Sequence, residues 1–234
     1  MKRPAISTMR SQVYQIIKES ICNGDYTPGQ WLQEKELAEQ LSVSRSPVRE
    51  ALRQLAVDGL VIEMPNKGVF VKEFTTKEIE EVFDMRVLLE NYAIEHIIVP
   101  VAENDKKMLH ACIKNLEVAH KNGDLRLYIT LDTELHEMLI KLCGNSVLEE
   151  MYEKVYSMIQ QFRIYSLISK VRFNESLDEH RRIVKFVLEG DAHQAQAINK
   201  LHLQLARDKI LDYLKEHKLS EDKTAGKKMY GKKQ

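Results

Sequence analysis

The chain has 234 residues with 35 Lys/Arg against 35 Asp/Glu, so its formal net charge is zero, and 44% of its residues are hydrophobic. That length suits two modest domains, and the neutral balance excludes a whole-protein field that draws in nucleic acid. Three widely spaced cysteines (Cys22, Cys112, Cys143) exclude a disulfide framework or a zinc knuckle and read as small core residues. No apolar run approaches the ~18–20 residues of a membrane span and no signal peptide heads the chain, which predicts a cytoplasmic protein without membrane contact.

The first element is a helix over roughly 10–23, with Val13, Ile16, Ile17 and Ser20/Ile21 on its buried face and Asn23-Gly24-Asp25 closing it. Leu37 to Val43 reads as a short amphipathic helix that runs into a tight turn at Ser42-Val43. From Ser44 to Leu55 a further helix divides its faces. Val48, Ala51, Leu52 and Leu55 point to a core, while Arg45, Arg49 and Arg53 line one face at i, i+4, i+8. Ser44 is an N-cap candidate, and Pro47 sits in the first turn, where its missing N–H is harmless. A core stripe backed by arginines suits a helix laid into the major groove, although spaced arginines are also the ordinary make-up of a solvated face. The neighbours favour the groove, because helix, tight turn and arginine-faced helix together form a helix-turn-helix. Val61 to Met64 and Val69 to Val71 then flank the turn Pro65-Asn66-Lys67-Gly68 as a hairpin wing. The charge is local: residues 1–72 hold ten Lys/Arg against eight Asp/Glu.

The run Gly24-Asp25-Tyr26-Thr27-Pro28-Gly29-Gln30-Trp31-Leu32-Gln33-Glu34, with Leu37-Ala38, Val43-Ser44-Arg45-Ser46-Pro47-Val48-Arg49-Glu50-Ala51-Leu52 and Asp58-Gly59-Leu60-Val61, resembles the GntR family of bacterial winged-helix regulators. The resemblance covers about the first third of the chain. It implies DNA contacts from Lys35, Ser44, Arg45, Ser46 and Arg49 and from the wing tip at Lys67 and Gly68. Many relatives carry threonine where Ser46 stands, and either Arg or Lys at position 35.

A winged helix-turn-helix over 1–73 therefore precedes a boundary near Lys72 to Thr76. Beyond it every segment reads as helix: 76–98 (ended by Pro100), 104–121, 124–142, 147–170, 176–189 and 191–217, separated by capping signals such as Asn122-Gly123-Asp124, Gly144-Asn145-Ser146 and Gly190-Asp191. The expectation for 76–217 is an antiparallel all-helical bundle, so the whole is mainly α. Residues 218–234, rich in lysine and without periodicity, read as a disordered tail.

Four residues of the bundle form a candidate ligand set for zinc or nickel: Asp132 and His136, four apart on one helix, with His180 after a Ser176-x-x-Glu179 capping box and His202 in the last helix. Spacing alone leaves open a set of unrelated polar residues. His193, nine residues before His202, projects from the opposite face and falls outside the set. His96, His110, His120 and His217 show no partner pattern. The run Asp132-x3-His136, Leu139, Gly144-Asn145, Glu179-His180-x2-Ile183-x6-Gly190-Asp191-x3-Ala195 and His202 resembles the FCD effector domain of the FadR/VanR branch. That resemblance implies a divalent ion on Asp132, His136, His180 and His202 at the bottom of an effector cavity.

Arg86 falls on the apolar stripe Ile79, Val82, Phe83, Leu89 and Ala93. A buried guanidinium needs a partner: Glu90 one turn along, or the carboxylate of an organic-acid effector. The branch resemblance implies that the Arg of Arg86-x2-Leu89-Glu90 lines the cavity, and Arg163 is a second candidate on the Ile159/Phe162 side of its helix. The overall expectation is a homodimeric transcriptional regulator of the repressor type, binding a palindromic double-stranded operator and controlled by a small carboxylate at the metal. Two other readings keep the same residues: a metalloregulator sensing the ion itself, and a metal-dependent enzyme, for which no separate general base stands at a recognised spacing.

Overall fold

A computed structural model describes residues 8–22, 24–167 and 169–229. They fall into two compact units, one reaching to Thr75 together with Glu153–Gln161, the other Thr76–Tyr152 with the chain from Phe162 onward.

In the first unit, α1 (Met9–Cys22) and α2 (Glu34–Gln40) pack on α3 (Arg45–Val57). Val48, Ala51, Leu52 and Leu55 are all buried, as their spacing predicts. On α1 the buried residues are Val13, Ile17 and Ile21, an i, i+4, i+8 row, and Ile16 is 46% exposed because it falls off that row. Asn23 lies outside the described residues. The turn between α2 and α3 puts Ser42 at φ 54°. The wing strands β2 (Val61–Met64) and β3 (Gly68–Val71) pair antiparallel, with Met64 opposite Gly68. A third strand that periodicity did not reveal, β1 (Trp31–Leu32), pairs with the other edge of β3, giving the order β1-β3-β2. Two residues are too few to show alternation.

The second unit is helical: α4 (Thr76–Glu95), α5 (Glu103–Asn122), α6 (Leu125–Leu142), the part of α7 (Ser146–Ile159) up to Tyr152, α8 (Arg163–Leu167), α9 (Lys170–Glu189) and α10 (Ala192–Met229). The long 147–170 helix expected from the sequence is broken by a 3-10 turn at Gln160–Phe162, and neither glycine nor proline marks the break. α4 stops at Glu95, short of the expected 98. Gly123 and Gly190 end α5 and α9 in the left-handed conformation, and Asp124 caps α6 by accepting from Leu127 N at 3.0 Å. α4 and α9 pack on α10, α5 on α6 and α9, around Leu109, Leu116, Tyr128, Leu135 and Leu139. Cys112 is buried here, whereas Cys22 and Cys143 are half-buried, so only one cysteine is a true core residue. α10 continues to Met229 where disorder was expected from 218. No proline interrupts that stretch, and a helix propagates more easily than it starts. Residues 230–234 lie outside the described residues.

Candidate functional site

α6, α9 and α10 each contribute to one buried polar centre. Asp132 and His136 leave α6 one turn apart, His180 comes from α9 and His202 from α10. One ligand atom from each lies within 4.8 Å of all the others, and all four side chains are buried. The rings confirm the clustering: His180 and His202 centroids are 4.5 Å apart, and His136 lies 5.4 and 5.2 Å from them.

Each imidazole is held by a neighbour at Nδ1. His136 Nδ1 donates to Glu90 Oε2 at 2.9 Å and His202 Nδ1 to Glu179 Oε2 at 2.7 Å. His180 Nδ1 lies 3.3 Å from the Tyr128 hydroxyl, which donates to Ser176 Oγ at 3.2 Å. A carboxylate only accepts, so Glu90 places a proton on His136 Nδ1, which in a neutral imidazole leaves the lone pair on Nε2. That Nε2 is buried and has no hydrogen-bond partner among the described residues. His180 Nε2 faces Asp132 Oδ1 at 3.0 Å. Outer groups gripping one ring nitrogen while the other converges with a carboxylate is how proteins orient metal-binding histidines. Nitrogen and carboxylate donors, three to one, fit zinc or nickel.

Three arginines surround the cluster. Arg86 donates through Nε to Glu90 Oε1 at 2.8 Å, and Tyr152 O–H donates to the same oxygen at 2.9 Å. Burial alone would raise the Glu90 carboxyl, but Arg86 and His136 outweigh it and hold the group well below the usual carboxylate range. Arg163, the first residue of α8, contacts Asp132 Oδ2 and donates to Thr133 Oγ1 at 2.9 Å. Burial, helped by Arg86, pushes its guanidinium down to about 9. Arg172 Nη2 donates to Glu179 Oε2 at 2.7 Å. Burial lowers His180 and His202 well below 6.5, with nearby positive groups adding to it, and raises Glu179 against the pull of Arg172.

The structure thus brings together Asp132, His136, His180, His202, Arg86 and Arg163, and gives Arg86 the intrahelical partner Glu90. His193, His96 and His110 are exposed away from the cluster, while His120 has a partner of its own, Asn174 Oδ1 at 2.8 Å. One expectation is corrected: α9 begins at Lys170, so Ser176 and Glu179 are mid-helix residues and form no capping box. Both serve the centre instead. Sequence reasoning also missed Arg172, because a helix starting at 176 excluded it. Arg172, Ser176 and His180 stand four apart on one face, a signal that was present.

On the first unit, Ser44, Arg45, Ser46, Arg49 and Arg53 are exposed along the start and outer face of α3, and Lys67 is exposed on the wing turn. Ser44 occupies the N-cap position but its side chain makes no capping bond, which leaves the hydroxyl available. Arg49 is gripped by Glu34 through Nε (3.0 and 3.1 Å) and Nη2 (2.9 Å). Lys35 Nζ lies 3.9 Å from Glu39. Gly68 has φ 106°, and a Cβ there would come within 2.5 Å of Trp31 Nε1.

A winged helix with an arginine-faced helix, in one chain with a helical unit built around a buried polar centre, defines a DNA-binding protein with a separate all-helical domain. The profile for bacterial regulatory proteins of the gntR family matches residues 9–71, and the FCD domain profile matches residues 81–205. The chain is 33% identical over 187 residues to the HTH-type transcriptional regulator YdhC of Bacillus subtilis, spanning 79% of this chain and 83% of that protein. It is 28% identical over 203 residues to the gluconate operon transcriptional repressor of Bacillus subtilis, spanning 84% and 82%. The solved structure of E. coli McbR/YncC shares the fold at a TM-score of 0.79 and 22% identity, covering 88% of this chain and 99% of that one. The chain belongs to the GntR family and carries an FCD domain. It is a DNA-binding transcriptional regulator. Among the described residues no helix is long and apolar enough to cross a membrane.

Proposed function

We propose that this regulator is a repressor whose operator affinity is set by a small carboxylate bound at a divalent metal in the helical domain. Asp132, His136, His180 and His202 would hold the ion, zinc or nickel by the chemistry of the donors. When bound, such an ion supplies Lewis acidity and positive charge for a carboxylate to meet. Arg86 and Arg163, buried beside the cluster and paired with Glu90 and Asp132, would offer N–H donors to a carboxylate bridging to the ion. The observation that carries the reading is the grip on each imidazole at Nδ1, with the His136 Nε2 lone pair buried and unpartnered. The relative named as the gluconate operon transcriptional repressor supports repression as the sign, and gluconate is itself an organic acid, in keeping with a carboxylate signal.

Two copies of the chain would present Arg45, Arg49, Ser44 and Ser46 to successive half-sites of a palindromic operator, with Lys35 and the wing tip at Lys67 and Gly68 on the backbone. Ligand and DNA would then weaken each other by one common factor.

A thermal-shift screen of small carboxylates, with and without EDTA stripping, tests this. A ligand at a hundred times its Kd stabilises by about 2.7 kcal/mol, a shift of roughly 5–10 °C for a chain of this size. The shift should vanish after stripping and weaken in Arg86→Lys. A large shift from metal alone, with no response to any acid, favours a metalloregulator instead.

A further inference from the structure

We propose that the ligand of the metal centre carries two negative charges, as a dicarboxylate or a phosphate monoester. This deepens the reading above and rests on it.

Among the described residues, the buried charged side chains are three arginines and three carboxylates, beside three histidines. They are matched one to one. Arg86 Nη2 lies 2.8 Å from Glu90 Oε1, Arg172 Nη2 2.7 Å from Glu179 Oε2, and Arg163 contacts Asp132 Oδ2. Histidine ligates a metal in its neutral form. The protein side of the centre is therefore already balanced. A divalent cation among Asp132, His136, His180 and His202 adds two positive charges that no further buried carboxylate can meet. Uncompensated charge in a buried site is costly, and a bound ion dominates its local field. A monocarboxylate offsets half of the excess, and a dianion offsets all of it.

The donors point the same way. Arg172 is 1% exposed, yet its Nε and Nη1 have no hydrogen-bond partner among the described residues. Its Nη2 is occupied by Glu179 and by the His202 carbonyl at 3.2 Å. Leaving such donors unsatisfied is expensive, and an anionic oxygen is their best acceptor. Arg172 thus supplies unsatisfied N–H donors beside His202 for the second anionic group.

Full-length protein, stripped and reloaded with one equivalent of zinc, is titrated calorimetrically at about pH 8, above the second phosphate pKa near ~6. The dianionic probes are malonate, succinate and methyl phosphate, and the monoanionic probes are propionate, lactate and monomethyl succinate, each in two buffers of different ionisation enthalpy. At least one dianion should bind about tenfold or more tighter than every monoanion, without net proton release, and whichever chemistry wins identifies the class. Arg172→Gln, checked for zinc content and melting, should lose most of that preference, and full retention would remove Arg172 from the site. A monoanion that binds as tightly, or with release of one proton as hydroxide or alkoxide supplies the second charge, overturns the dianion assignment and leaves the metal–carboxylate reading standing. Failure of all six probes on zinc-loaded protein overturns both.

Discussion

Arg49 meets Glu34 side-on, through Nε and Nη2, so the Nη1–Nη2 end of the fork faces away from the carboxylate and, in the proposed docking, would meet the O6/N7 edge of a guanine. Arg49→Ala should therefore weaken operator binding about tenfold or more. Glu34→Gln, which loosens the fork without removing it, should lower selectivity for operator over random DNA several-fold at unchanged helix content. Equal losses on both DNAs would mean that Glu34 does not orient Arg49. In the buried centre, the histidines set a pH dependence. Burial and neighbouring positive groups hold His180 and His202 well below 6.5 in the folded chain, so on acidification the unfolded chain takes up protons first. Metal-stripped protein should then lose stability as pH falls below about 6.5, by up to about 1.4 kcal/mol per pH unit for each histidine. Glu179 has the opposite sign: its raised carboxyl takes a proton first in the folded state and offsets part of the loss in the carboxylate range. Melting curves of the stripped protein should slope downward into acid, and His180→Gln with His202→Gln should flatten that slope. The four residues of the buried cluster were legible from spacing and resemblance because a lone Asp-x3-His pair, a histidine behind an apparent capping box and a mid-helix histidine stand out by residue type. Tyr128 and Tyr152 were not, since an aromatic residue at a core position looks the same whether or not its hydroxyl bonds His180 or Glu90.

The wing and α9 carry the lesson at the level of elements. Gly68 reads as a permissive turn residue, but its φ of 106° and the approach of Trp31 show that the fold itself demands glycine there. Gly68→Ala should cost about 1–3 kcal/mol through backbone strain and the clash with the indole. Trp31 is the single tryptophan, so its fluorescence reports melting of this unit directly. An unchanged midpoint would mean that the indole moves aside freely. For α9, Ser176-x-x-Glu179 matches a capping box letter for letter, yet helix already runs through it from Lys170. A local motif cannot tell a helix start from a helix interior when the preceding turn, Lys170 to Glu175, has no helix breaker. The arginine stripe of α3 was legible because both its faces are periodic over three turns.

For the whole molecule, zero net charge places the attraction for DNA in the first unit's exposed cations rather than in a general field. Operator affinity should fall linearly with salt on logarithmic axes, and each phosphate-contacting Lys or Arg removed should reduce the slope by about one. Lys67→Ala should show that reduction with little change in sequence preference, whereas an unchanged slope would take the wing tip off the backbone. The central claim couples this surface to the buried centre, and the most direct test is operator affinity itself. Fluorescence anisotropy with DNA from upstream of the chain's own gene would compare zinc-loaded and EDTA-stripped full-length protein, each with and without the tightest-binding acid of the calorimetric series. The account predicts that the acid shifts Kd at least about fivefold, the lower end of ordinary allosteric coupling, in zinc-loaded protein and leaves stripped protein unchanged. An affinity that ignores the acid in both forms would contradict it.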